Sequence, residues 1–109
     1  MFNMVIEQTS KYPMRMIYDP ATKSFTADNR QSLMYVRNFT KPYGWIKESG
    51  TPPQEHWDCI LMTENEYELG DEVPIKVIGL FKRKCFRFVN ITYYIVTFIY
   101  LFVSQYAKF

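Results

Sequence analysis

The chain has 109 residues, of which 48% are hydrophobic and 18% aromatic, and its formal net charge is +2. This length suits one domain rather than two, and this composition excludes a disordered chain. The charge is unevenly divided, because residues 1–81 hold all eleven acidic residues with eight basic ones, whereas residues 82–109 hold five basic residues and no acidic one.

The first part of the chain predicts short strands. Residues 4–7 and 14–18 favour extended structure, and residues 24–27 follow a turn in which Pro20 fixes φ, so that a hairpin is predicted. Residues 33–39 form a further β-rich run.

The middle of the chain continues this pattern after a break at residues 41–44. A short extended piece and a Ser-Gly-Thr-Pro-Pro loop precede a predicted buried strand at residues 57–63, and a further strand follows an acidic segment at residues 73–81, where Gly79 indicates a bulge. Five to six short strands joined by turns predict a mainly β fold, a small barrel or sandwich.

The last part of the chain differs in character. Residues 88–103 are almost entirely apolar and follow a basic segment. Three interpretations are open: a C-terminal membrane anchor, a strand or helix buried in a core, and a segment that is not native coding sequence. We therefore divide the chain into a β-barrel at residues 1–83 and a hydrophobic, basic-flanked segment at residues 84–109.

Residue types narrow the possible chemistry. The two cysteines, Cys59 and Cys85, lack the spacing of a metal site and predict inert thiols in a reducing compartment, and His56 is the only histidine. Residues 1–9 contain no signal peptide, so we expect a cytoplasmic protein. The basic segment lacks the interleaved polar residues of a nucleic-acid site, so no nucleic-acid partner is expected.

Five segments between residues 4 and 83 resemble the soluble, metal-dependent inorganic pyrophosphatases, whose fold is an OB-like barrel. In their order and spacing these segments are residues 4–7 (MVIE), 15–28, 43–46 (YGWI), 57–61 (WDCIL) and 70–80. The resemblance implies a truncated homologue of an enzyme that hydrolyses inorganic diphosphate to two phosphates.

That family's activity depends on Mg²⁺ ions held by clustered aspartates, which polarise the phosphoryl oxygens. The resemblance places its Asp-x-Asp-x-x-Asp signature on Pro53, Glu55 and Asp58. Only Asp58 and Glu55 therefore remain as catalytic and metal-binding candidates, and His56 stands where the family has proline, so it is expected to be a loop residue.

The resemblance also implies a phosphate-binding set at Glu7, Arg15, Arg30 and Tyr43. Two other family positions are changed, since a tyrosine becomes Phe39 and a glutamate becomes Ile17. With so few carboxylates, several divalent ions would repel one another in one pocket, so we expect weak Mg²⁺ binding and impaired or lost hydrolysis.

A rival hypothesis is a non-enzymatic small β protein. It would be tethered to a membrane through residues 88–103 or would pair with another chain through that apolar surface. A barrel without the family's C-terminal helix exposes apolar surface, so self-association is expected under either hypothesis.

Overall fold

A computed structural model describes the backbone at residues 2–32, 39–85 and 90–99, and the surroundings of the side chains at residues 2–32 and 39–79. The β-rich run predicted at residues 33–39 lies, except for its last residue, outside the described residues. The described chain contains seven strands and one 3-10 turn.

Five of the strands close into a barrel, and two form a separate hairpin. The barrel order is β1-β4-β5-β7-β6, and the hairpin pairs β2 with β3. β5 and β7 are parallel, whereas the other barrel pairs are antiparallel. The strands are β1 (Phe2–Gln8), β2 (Met14–Asp19), β3 (Ser24–Gln31), β4 (Tyr43–Ile46), β5 (Asp58–Leu61), β6 (Glu72–Cys85) and β7 (Asn90–Ile99). The predicted mainly β barrel is thereby confirmed.

The barrel interior is apolar because the strands alternate. In β1, β4, β5 and β6 every second residue turns inward, and these residues form one buried cluster. Its members are Met4, Ile6, Ile46, Cys59, Leu61, Val73 and Ile75. Cys59 is a free, buried thiol, and burial and the nearby Asp58 and Glu7 carboxylates raise its pKa.

The predicted hairpin is confirmed as β2 and β3, which pair antiparallel. Asp19 fixes its turn, since Asp19 Oδ1 accepts from the Ala21 amide at 3.0 Å. The hairpin lies against the outside of the barrel through aromatic rings, with Tyr18 at 5.1 Å and Phe25 at 6.4 Å from Trp45 between ring centroids.

The connection between β4 and β5 was predicted as a loop but begins with a 3-10 turn, Lys47–Ser49. Ser49 Oγ joins its two ends, donating to the Ile46 carbonyl at 2.6 Å and accepting from the Trp57 amide at 2.8 Å. The predicted buried strand at residues 57–63 is shorter than expected. Trp57 precedes the strand and is 60% exposed.

The last two strands run through the segment of changed composition. A register shift between Val77 and Gly79 confirms the predicted bulge in β6. The proposed boundary after residue 83 falls inside β6, and β7 pairs with both β5 and β6. Part of the apolar segment predicted at residues 88–103 is thus a barrel strand, Asn90–Ile99. Within the described ranges, no helix has the length and hydrophobicity to cross a membrane.

Candidate functional site

The outer face of β1, β4 and β5 carries polar side chains that the strand register brings together. Val5 pairs with Trp45, and Trp45 pairs with Asp58, so these three residues share one row. Tyr43 lies two residues from Trp45 and therefore on the same face. Glu7 sits at a bulge of β1 beside this row, between Ile6 and Gln8.

On this face, the carboxyl group of Glu7 has the pKa that is shifted most from its ordinary value. Burial raises its pKa from 4.5 to about 7, and the nearby Asp58 carboxylate adds to the increase. His56, Arg15 and a hydrogen bond from the Tyr43 hydroxyl oppose the increase. The structure thus gathers Glu7, Arg15, Tyr43 and Asp58, four of the six residues implied by the resemblance, together with His56. We call these five residues the outer cluster.

Arg15 is exposed on β2 and acts electrostatically on Glu7, and Gln8 holds the strand that carries it. The Gln8 amide nitrogen donates to the Met14 carbonyl at 3.1 Å, and its amide oxygen accepts from the Met16 amide at 2.7 Å. Gln8 is buried, with 4% of its surface exposed. It therefore binds the backbone on both sides of Arg15 and positions β2 against β1.

Asp58 and His56 form a close pair at the start of β5. His56 Nε2 lies 3.0 Å from Asp58 Oδ1, and His56 Nδ1 lies 2.7 Å from the Gln54 carbonyl oxygen. A carbonyl only accepts, so Nδ1 carries a proton. The edge of the imidazole also faces the buried Trp45 ring at 6.5 Å between centroids. These contacts fix the ring beside the carboxylate.

The other two implied residues lie away from this arrangement. Arg30 forms an ion pair with Asp28 at 2.9 Å and is 68% exposed, and it lowers the pKa of Asp28. Glu55 is exposed in the loop, and in the described part of the chain its carboxylate has no hydrogen bond or ion pair.

At three positions the resemblance implies that a polar residue of the family has been replaced by one without a charged or ligating side chain. Pro53 follows a cis peptide bond in the loop, and Ile17 is 44% exposed on β2. Phe39 is partly buried. Their side chains offer no ligand for a cation.

The outer cluster does not fit a cluster of divalent ions. Mg²⁺ requires near-octahedral oxygen ligands, usually one or two carboxylates together with waters and substrate phosphates. Among residues 2–32 and 39–79, no three side chains of the histidine, cysteine, aspartate or glutamate type come close enough to hold a metal ion. Asp58 is paired with His56, and Glu7 carries a carboxyl whose ionisation is opposed by burial.

Two residues of this region were not assigned a role from the sequence. The resemblance predicts His56 as a loop residue, and the sequence predicts no contact for Gln8. The spacing of His56 and Asp58 was the available signal, because residues two apart on an extended chain share a face. Gln8 offered no signal, since its bonds depend on how the hairpin folds back.

Comparison with known proteins supports the fold. A crystal structure of an inorganic pyrophosphatase from Neisseria gonorrhoeae matches with a TM-score of 0.67 and 19% sequence identity. The match covers 90% of this chain and 54% of that one, so this chain spans about half the length of the enzyme. No protein-family model and no curated protein matches the sequence. At this identity the match establishes architecture: the chain has a pyrophosphatase-like barrel.

Proposed function

We propose that this chain is a pyrophosphatase-like protein that retains part of a diphosphate-binding site and has impaired or lost Mg²⁺-dependent hydrolysis. One observation supports the proposal: Tyr43 and Asp58 share an outer face of a pyrophosphatase-like barrel with Glu7, whose carboxyl also feels the charge of Arg15 on the neighbouring hairpin. Arg15 and Tyr43 supply donors of the kind that bind phosphate oxygens.

We expect impaired hydrolysis because too few carboxylates are available to hold the metal ions that neutralise the diphosphate. Hydrolysis of a diphosphate by water requires that its negative charges be neutralised, and the resemblance assigns this work to several metal ions. One aspartate of the three signature positions, Asp58, lies in the outer cluster, and it faces an imidazole. Glu55 has the charge for a second ligand but lies exposed outside the outer cluster.

The direct test is phosphate release from inorganic diphosphate by the purified chain, with Mg²⁺ and with a chelator. We expect turnover several orders of magnitude below the ordinary enzyme range of about 1–10³ s⁻¹. Asp58→Asn is the matched control, and any residual Mg²⁺-dependent rate should fall in that variant. Turnover within the ordinary range would refute the impairment.

Diphosphate binding is tested separately by calorimetric titration. We expect Arg15→Gln to weaken binding about tenfold, since it removes one charge-assisted hydrogen bond. Lys23→Gln removes the same charge from the exposed turn of the same hairpin and should leave binding unchanged. Equal effects of the two substitutions would mean that net charge, rather than the outer cluster, governs binding.

Self-association is the second candidate property, and exposed apolar side chains favour it. Six large hydrophobic residues are exposed in the described structure: Phe2, Ile17, Trp57, Met62, Val77 and Ile78. Val77 and Ile78 lie on β6, where the strand bulges. We expect light scattering at tens of micromolar to give a mass above that of the 13.1 kDa monomer. A monomeric mass would contradict this property.

A further inference from the structure

The β6–β7 pair continues past the positions at which it joins the other barrel strands. β1 pairs with β6 at residues 72–75, and β5 pairs with β7 at residues 95–97. Residues 81–85 of β6 and 90–94 of β7 pair with each other, and no other described strand pairs with them. We call residues 81–85 and 90–94 the ribbon. At about 3.3 Å per residue, its length is roughly 15 Å.

The ribbon combines basic with aromatic and aliphatic residues, and it contains no carboxylate. Successive residues of a strand lie on opposite faces, so Lys82 and Lys84 are on one face of the ribbon and Arg83 is on the other. Basic residues are therefore present on both faces. The register sets them among apolar and polar neighbours, in the cross-strand pairs Phe81–Tyr94, Lys82–Tyr93, Arg83–Thr92 and Lys84–Ile91.

The ribbon differs in charge from the barrel that carries it. Residues 1–81 hold all eleven acidic residues with eight basic ones, whereas residues 82–109 hold five basic residues and no acidic one. The part of β6 that leads into the ribbon is open to solvent, with Val77 42% and Ile78 47% exposed. The charge of the ribbon is thus complementary to an anionic partner, and apolar surface adjoins it.

We propose that the ribbon is a docking surface for the headgroup region of an anionic lipid bilayer. The negative potential of such a surface attracts Lys and Arg residues, and the interface favours tyrosine, which has an apolar ring and a polar tip. A single-stranded nucleic acid would also engage basic and aromatic residues, but it has no use for aliphatic ones such as Ile78 and Ile91. The proposal goes beyond the proposed function, because it involves neither the outer cluster nor diphosphate.

The test is co-sedimentation of the full chain with vesicles of phosphatidylcholine mixed with phosphatidylserine, and with vesicles of phosphatidylcholine alone. We expect binding to the mixed vesicles that weakens as the salt concentration rises, and little binding to the uncharged vesicles. Lys82→Gln/Arg83→Gln/Lys84→Gln should weaken binding to the mixed vesicles about 100-fold, since each basic residue near the surface contributes a factor of about five.

Two further variants separate the ribbon from net charge and from misfolding. Lys11→Gln/Lys23→Gln/Lys47→Gln removes the same number of charges from exposed positions of the barrel and hairpin, and it should bind as the wild type does. Lys82→Arg/Lys84→Arg keeps the charge of the ribbon and should also bind as the wild type does. Circular dichroism melting of each variant checks that the fold is retained.

Four results would overturn the proposal. The first is equal binding to both kinds of vesicle, or none to the mixed ones. The second is equal weakening by the two triple variants, which would assign the binding to net charge. The third is binding to a single-stranded oligonucleotide that is tighter than binding to the mixed vesicles and is lost in the ribbon variant. The fourth is a smaller mass of the ribbon variant in light scattering without vesicle binding by the wild type, which would assign the ribbon to a second copy of the chain.

Discussion

The inner and outer faces of the same three strands, β1, β4 and β5, differ in what holds them together. Inside the barrel, Met4, Ile6 and Leu61 are fully buried in an apolar cluster. Outside, Glu7 and Asp58 lie beside His56, Arg15 and Tyr43.

This difference shows that the two faces of one strand can have separate roles: the inner face stabilises the fold, and the outer face carries the polar groups of the candidate site. Burial of apolar surface on the inner face is non-directional and favours folding whatever the partner. On the outer face each polar group needs a particular partner, and burial that raises the pKa of Glu7 opposes its charge. Substitutions on the inner face should therefore change the free energy of unfolding at every pH. Substitutions of the ionisable residues on the outer face should change how that free energy depends on pH.

The largest effect is expected at Gly44, where the inner face leaves no room for a side chain. An added Cβ would lie 1.9 Å from the Val5 carbonyl oxygen, which is backbone and cannot yield. We expect Gly44→Ala to abolish folding, as judged by circular dichroism. Gly79→Ala is the control, since an added Cβ there meets nothing within 4 Å, and it should fold. A folded Gly44→Ala protein would show that β1 and β4 can separate.

Leu61→Ala tests the inner face by creating a cavity. Leu61 is fully buried, so we expect a loss of about 2–5 kcal/mol in the free energy of unfolding. The neighbouring Met62 is 38% exposed, and Met62→Ala should cost much less. Urea unfolding measures both, and equal losses would contradict the distinction between the two faces.

Glu7→Gln tests the outer face through pH. The pKa of Glu7 is about 7 in the folded chain against 4.5 ordinarily, so the folded state holds its proton to higher pH than the unfolded state does. Stability contributed by this group is therefore present below about pH 4.5 and declines as the pH rises to about 7. The advantage of Glu7→Gln over the wild type should grow by on the order of 3 kcal/mol across that window.

A control of opposite sign is available at Glu48. Hydrogen bonds from the Asn3 backbone amide and side chain lower the pKa of Glu48, so its contribution is present above its ordinary pKa and is lost as the pH falls. Urea unfolding of Glu7→Gln, Glu48→Gln and wild type at several pH values measures both effects. A Glu7→Gln curve parallel to that of the wild type would show that Glu7 ionises normally.

The smallest expected effect is at Gln8, which joins the outer face to the hairpin. Gln8→Leu keeps the volume but leaves the Met14 carbonyl and the Met16 amide without their partner, at a cost of about 1–3 kcal/mol. Gln31→Leu, at an exposed position of β3, should be close to neutral. Denaturant unfolding compares the two, and an unchanged Gln8→Leu protein would mean that the aromatic rings alone hold the hairpin.

Local patterns predicted much of the barrel. Alternation and turn residues identified β1, the β2–β3 hairpin and the bulge at Gly79, because these signals depend on neighbours in sequence. They overestimated the strand at Trp57, whose apolar side chain is exposed. Hydrophobicity alone does not reveal which face of a strand another element will cover.

The amino-acid sequence determined a mainly β chain with an apolar inner face, since strand periodicity and side-chain hydrophobicity are local properties. The resemblance to pyrophosphatases implied, in addition, that few carboxylates stand at the metal-ligand positions of that family. Only the tertiary structure decided that Glu7, Tyr43 and Asp58 share an outer face, that Gln8 holds the strand that carries Arg15, and that His56 pairs with Asp58. These contacts depend on strand register and on the folding back of a hairpin, which join residues distant in sequence and leave no mark in any single segment.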